Sequence, residues 1–348
     1  MKSKSLTILC CILLTGCSKS PETNPEILWD SYGVPHIYAD NYNDLFYAYG
    51  WSQMRNHGNL LLKLYGQARG QGAEYFGEKH LKSDQWVHTH NITQRSLDWW
   101  EKQDPDIRKM MTAFTDGIND YANENPDEID DLNQSILPAR PEDCFSHFQR
   151  VILFHFVTNP GIATFNPASI IKDRGSNTWA IGPSRSESGN AMLIANPHLP
   201  WFDMFTWFEA HTISHDLNAY GAGLVGMPFL GIAFNDYMGW SHTNNVHDGQ
   251  DLYELTLIDD GYQWGDGIQH FDERTVEIKV RNDDGNMTAS EFLIRESVHG
   301  PVVSEKDGKA YALRVVGLDQ PHVFRQYFDM ARAKTLKSFQ DAIRPLQN

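Results

Sequence analysis

Gly175-Ser176-Asn177-Thr178-Trp179-Ala180-Ile181-Gly182 is the stretch on which the fold reading turns. An apolar run opens on Gly-Ser. After the polar Ser184-Arg185-Ser186-Glu187-Ser188-Gly189, a second apolar run, Ala191 to Ala195, leads into Asn196-Pro197-His198-Leu199. Two apolar runs joined by a polar link ending in Gly predict a β-hairpin. A Ser directly after a Gly at the head of a strand is where a precursor can cut itself, which leaves the Ser as a new N-terminus. One residue then carries two catalytic groups: the hydroxyl is the nucleophile, and the freed α-amine, with a pKa near 8 in peptides, takes the hydroxyl proton. Gly on the acyl side tolerates the strained backbone that attack on the preceding carbonyl requires. His198 closes the second strand, so antiparallel pairing predicts its ring beside Ser176.

Working outward, Ile27 to Ala39 alternates as a strand broken by a turn at Tyr32-Gly33, and Asp44 to Glu74 has the three-and-four spacing of helices. Asp104-Pro105 opens a further helix with Ile107, Met110, Met111, Phe114, Ile118 and Tyr121 on one stripe. Val151 to Val157 is a short apolar run, and Asn159 to Gly175 mixes Pro, Gly, Asn and Ser as a loop does. Beyond the hairpin, strands are predicted at Phe205–Ile213, Leu230–Phe234, Asp251–Ile258, Thr275–Val280, Ser290–Arg295 and Ala310–Val316, and a helix opens at Lys334-Thr335. His88-x-His90 has the look of a metal pair, but no third ligand falls at a matching spacing.

Further blocks occur in order: Tyr32-Gly33-Val34-Pro35-His36-Ile37, Ala68-Arg69-Gly70 with Ala73-Glu74-Tyr75-Phe76-Gly77, Gly239-Trp240-Ser241-His242-Thr243, Asp251-Leu252-Tyr253-Glu254-Leu255 and His299-Gly300-Pro301-Val302-Val303. With the hairpin motif, they make the chain resemble the penicillin acylase family of self-processing N-terminal-nucleophile amidohydrolases over nearly all its length. The resemblance implies an α+β fold, the αββα four-layer sandwich of that class, here incomplete at the C-terminus. It also implies a division into residues 27–158 as a mainly helical first subunit, 159–175 as a candidate spacer loop and 176–348 as the N-terminal part of the catalytic second subunit.

The same resemblance assigns roles. Gly175 and Ser176 form the self-cleavage site, Ser176 is nucleophile and base, and His198 assists it. A His at that position is similar to the aculeacin, cephalosporin and acyl-homoserine-lactone acylase branch, whereas the penicillin G branch carries Gln. Asn244 takes the position of a backbone oxyanion donor, where relatives usually have a small or apolar residue, and a second donor, an Asn side chain, is expected beyond residue 348. Asp248, Gln250 and Asp251 match the spacing of a calcium site, although its upstream Glu has no clear counterpart between Phe148 and Thr164. No cofactor is required, so calcium enters only as a structural ion. Gly50-Trp51-Ser52-Gln53-Met54-Arg55-Asn56-His57 departs from the family's acidic-basic pair.

The first 17 residues read as an address. Lys2 and Lys4 precede an apolar stretch, Leu6 to Leu14, too short to span a bilayer, and Leu14-Thr15-Gly16-Cys17 resembles a bacterial lipoprotein signal, with Cys17 as lipidation site and residues 18–26 as a tether. The protein is therefore expected on the periplasmic side of a membrane, attached through its lipid anchor only. Cys144 is the one Cys left in the folded part, which excludes an internal disulfide there. With 41% hydrophobic residues the chain can bury a sizeable core, and its net charge of −16 disfavours nucleic acid as a partner. The expected partners are a small-molecule N-acyl amide (an acyl-homoserine lactone, an acylated lipopeptide or a β-lactam side chain) and the chain's own two subunits after cleavage. A catalytically silent relative acting as a surface binding lipoprotein is the competing reading.

Overall fold

A computed structural model describes residues 25–158, 175–243 and 248–347. The chain opens with β1 (Glu26–Trp29) and β2 (Pro35–Tyr38), an antiparallel pair turned at Gly33, whose φ of 81° suits glycine. The first region then becomes helical: α1 (Tyr42–Ala68), α2 (Gly72–Phe76), α3 (Leu81–Thr89), α4 (Ile92–Glu101), α5 (Pro105–Glu124), α6 (Asp131–Gln134) and α7 (Pro141–Phe148). The apolar run Val151–Val157 extends α7 as a π-helix, Gln149–Val157.

Local sequence explains the long helices. Asn41 caps α1, its side chain accepting from Asp44 N at 3.0 Å, and Pro105 fills the first turn of α5, where no N–H is needed. The predicted stripe of α5 is wholly buried. It packs on α1 through two glycines: a Cβ on Gly50 would stand 1.9 Å from Phe114 O, and one on Gly117 would stand 2.0 Å from Tyr47 O. The helix backbones touch there because neither helix presents a side chain.

After the hairpin strands β3 (Gly175–Ile181) and β4 (Met192–His198) come β5 (Trp207–Ser214), β6 (Leu217–Leu224), β7 (Ile232–Asn235) and β8 (Gly239–Trp240). These last four join the first two strands in one sheet, β1-β2-β5-β6-β7-β8, through a parallel β2–β5 contact. One face, with Ile37, Ala210, Ala219 and Ala233, enters the main core with α1 and α5. A second, antiparallel sheet, β11-β10-β9-β15-β14-β13-β12, is built from β9 (Gln250–Ile258), β10 (Gly261–Trp264), β11 (Gly267–His270), β12 (Asp272–Arg281), β13 (Met287–Ser297), β14 (Gly300–Lys306) and β15 (Lys309–Val315). Its β12 leans on α2 through Ala73, Ile278 and Val280. Helices α8 (Val323–Arg332) and α9 (Leu336–Ile343) end the chain, with Thr335 capping α9. The α+β class is as the sequence predicts.

The two regions interlock. The turn at Gly226, whose φ is 87°, is gripped from the helical side. Gln53 bonds Gly226 N and Met227 O, each at 2.9 Å, Tyr65 donates to Gly226 O at 2.8 Å, and His147 Nε2 donates to Val225 O at 2.9 Å. His147 and His90 lie in the core, where burial pushes each ring's pKa down to about 3. An unfolded imidazole takes its proton near 6.5, so between those values the unfolded state binds more protons and stability falls as the pH drops. The loss is on the order of 1.4 kcal/mol per pH unit for each ring. The urea midpoint is therefore expected to fall between pH 6.5 and 4, less steeply in His147→Gln; a midpoint that holds on acidification contradicts these neutral buried rings.

Candidate active site

The β3–β4 hairpin pairs Gly175 with His198 and Ser176 with Pro197. The predicted hairpin thus brings the His strand end to the Gly-Ser peptide. Gly175 has a reason beyond backbone tolerance. A Cβ on it would stand 3.1 Å from His198 Nδ1, so the ring occupies the space a side chain would need. The described chain begins this strand at Gly175, half-buried like Ser176, while His198 is exposed.

The hairpin is tied to the Gly239–Thr243 motif. Thr178 Oγ1 donates to Ser241 Oγ at 3.0 Å, and Gly239 lets Leu193 Cδ2 approach to 2.7 Å of where a Cβ would sit. Tyr327 on α8 meets the next motif residue, its hydroxyl 2.9 Å from His242 Nε2. The sequence carried no signal for Tyr327, although Thr178 and Ser241 stand inside the quoted blocks. Asn244 lies outside the described residues, as do Cys17 and residues 159–174 of the spacer loop.

Aromatic residues follow His198 in the chain. Trp201 and Phe202 are 98% and 67% exposed, whereas Phe205 and Phe208 are buried. Phe205 packs against His155 and Phe156 of the π-helix, at centroid distances of 5.1 and 5.9 Å. The segment just before the spacer therefore touches the segment just after the hairpin.

The expected calcium ligands stand at the entrance to β9. Asp248 and Asp251 are exposed, and Asp251 pairs in register with Arg314. Among the described residues no group of three or more His, Cys, Asp or Glu side chains converges as a metal site would need. Two carboxylates and the Gln250 carbonyl would supply three of the six to eight oxygens calcium takes. His88 and His90 also diverge: His88 Nε2 lies 3.1 Å from Gly70 O, while the His90 ring stacks on Phe154 at 4.4 Å. Cys144 is buried against the Tyr65 hydroxyl at 3.3 Å, and burial pushes its thiol pKa up, which keeps it protonated and unreactive.

Known proteins resemble this chain along the same stretch. It is 28% identical over 372 residues to the acyl-homoserine lactone acylase PvdQ of Pseudomonas fluorescens strain Pf-5, covering 94% of this chain and 48% of that relative. It is 29% identical over 379 residues to the PvdQ acylase of Pseudomonas syringae pv. syringae, covering 92% and 47%. The chain spans about half the length of the curated relatives it matches. A solved thermostable penicillin G acylase from Alcaligenes faecalis aligns with 48% of this chain and 31% of its own, at 22% identity and a TM-score of 0.42. The profile described as penicillin amidase matches residues 24–348, and the chain belongs to that family.

Proposed function

We propose that the protein is a self-processing acylase that hydrolyses the amide of an N-acyl compound through Ser176. The observation that carries the reading is the hairpin register, which sets the His198 ring against the Gly175–Ser176 peptide. In processing, Ser176 Oγ attacks the Gly175 carbonyl, the peptide shifts from nitrogen to oxygen, and water hydrolyses the resulting ester. This frees the Ser176 amine. In turnover the same hydroxyl attacks the substrate carbonyl and passes its proton to the α-amine, which delivers it to the departing amine. Water then releases the acyl group. His198 orients the hydroxyl, and the Asn244 backbone N–H supports the oxyanion, the step where preorganised donors matter most.

Cleavage before Ser176 would leave two subunits held by the shared β2–β5 contact, the grip on Gly226 and the stacking of Phe145 on Phe324 at 4.7 Å. An N-acyl homoserine lactone is the favoured substrate class, because the relatives carrying that name match 94% and 92% of this chain. The acyl tail would lie against the exposed Trp201 and Phe202. Each buried methylene adds about 0.8 kcal/mol, so extending the acyl chain from four to eight carbons is expected to raise kcat/KM by roughly two orders of magnitude. A series that is flat or falls from four to ten carbons removes the long-chain reading in favour of a short acyl group, which the polar Asn244 would suit.

A further inference from the structure

The strand contact that joins the two regions carries a histidine pair that hydrolysis does not use. His36 on β2 and His211 on β5 are register partners across the parallel pairing. Their neighbours Ile37, Ala210 and Thr212 are buried, so both imidazoles stand on the opposite face of the sheet. The two Nδ1 atoms face each other at 3.0 Å, with ring planes at 76°.

Each remote nitrogen already has a polar neighbour. Asn218 directs its amide N–H groups to the Asp236 carboxylate, at 3.1 and 3.2 Å, which turns its carbonyl oxygen toward His211 Nε2 at 2.8 Å. That oxygen can only accept, so His211 carries its proton on Nε2 and, when neutral, offers a lone pair at Nδ1. His36 Nε2 lies 3.9 Å from Asp30 Oδ2, on a carboxylate that accepts from the backbone N–H groups of Tyr32 and Val34. Without an ion, the Nδ1–Nδ1 contact is a hydrogen bond in which His36 donates. If the proton moves to His36 Nε2, toward Asp30, two lone pairs converge on one point.

A metal-binding imidazole needs Nδ1 free and Nε2–H held by a carboxylate or carbonyl; His211 has this already through Asn218, and for His36 the Asp30 carboxylate stands 3.9 Å away, close enough to take that part after a small shift. Two nitrogens bound to one tetrahedral ion at about 2.0–2.1 Å sit roughly 3.3 Å apart, so the pair has to open by only a few tenths of an ångström. We propose that His36 and His211 form a two-histidine site for a borderline divalent transition metal, Zn2+ or Cu2+, with water at the remaining positions. No third His, Cys, Asp or Glu converges among the described residues, so the site is an open chelate and its ion exchanges. The two ligands lie on either side of Ser176. In a cut protein the ion would tie one subunit to the other, but the site itself does not depend on cleavage.

The test is Zn2+ and Cu2+ binding to the metal-free full chain. Zn2+ is expected to raise the Tm of the wild type in a concentration-dependent way, with no such rise in His36→Gln or His211→Gln. His211→Cys keeps a ligand and is expected to keep the rise. Asn218→Ala is expected to weaken binding about tenfold by freeing the His211 ring. Bound Cu2+ should show electron-spin coupling to two imidazole nitrogens in the wild type and to one in either Gln variant. A wild type that ignores Zn2+, or Gln variants that respond as the wild type does, overturns the proposal and leaves the pair a plain hydrogen bond. Urea midpoints measured without metal show whether each variant is folded.

Discussion

Ser176→Ala is expected to leave the chain in one piece and to lower amide hydrolysis by roughly five to six orders of magnitude, the scale seen when a serine nucleophile is deleted. The methyl group has no lone pair with which to attack the Gly175 carbonyl, so the ester never forms and the α-amine is never freed. Nucleophile and base are then lost together. The fold should not notice. Ser176 pairs with Pro197 in the hairpin, and neither residue belongs to a core cluster. The circular dichroism and urea midpoint of the uncut variant should therefore match those of an uncut wild-type precursor. Ser176→Ala that is still cut before residue 176 would assign the cleavage to another nucleophile or to a protease.

Gly117→Leu is expected to cost about 3 kcal/mol or more, or to prevent folding. Inserting even a methylene into a packed core usually costs 1–3 kcal/mol, and here the first added atom already meets a backbone oxygen. A Cβ on Gly117 stands 2.0 Å from Tyr47 O and 2.9 Å from Trp51 N, and a carbonyl in mid-helix cannot swing aside as a side chain would. The only relief is to part α1 from α5. That separation would open gaps around Phe114 and Ile118, which are fully buried between them. Gly182→Leu is the control, because a Cβ there meets nothing within 4 Å. Equal urea midpoints for the two variants would contradict the glycine-mediated helix contact.

Elements whose cause is local were legible in the sequence. The α5 stripe, the caps at Pro105 and Thr335, and the hairpin with its polar link all follow from neighbours a few residues apart. Strand β6 was not. Its sequence, Leu-Asn-Ala-Tyr-Gly-Ala-Gly-Leu, carries glycines that weaken a strand signal, yet those glycines admit the carbonyls of Ile232 and Phe229, to 2.2 Å of where each Cβ would stand. A close approach from another strand leaves no mark in the segment that receives it. The parallel β2–β5 contact was hidden for a similar reason, since it joins residues on either side of the whole helical region. The π-helix was also unreadable, because Val151–Val157, apolar but for His155, has no period to distinguish it.

The candidate site divides the same way. Ser176 and His198 could be named because motif blocks surround them, and their juxtaposition followed from hairpin pairing. The reason for Gly175 could not, as it rests on where a ring sits in space. Tyr327 reaches His242 from α8, and the His36–His211 pair spans β2 and β5; no spacing rule links either couple.

The central claim is that Ser176 becomes an N-terminus. Expressing the complete gene product with export, separating its chains and sequencing each from the amino end tests it directly. The account predicts two chains, one of them beginning Ser176-Asn177-Thr178. A single active chain in which Gly175 and Ser176 remain joined would contradict it.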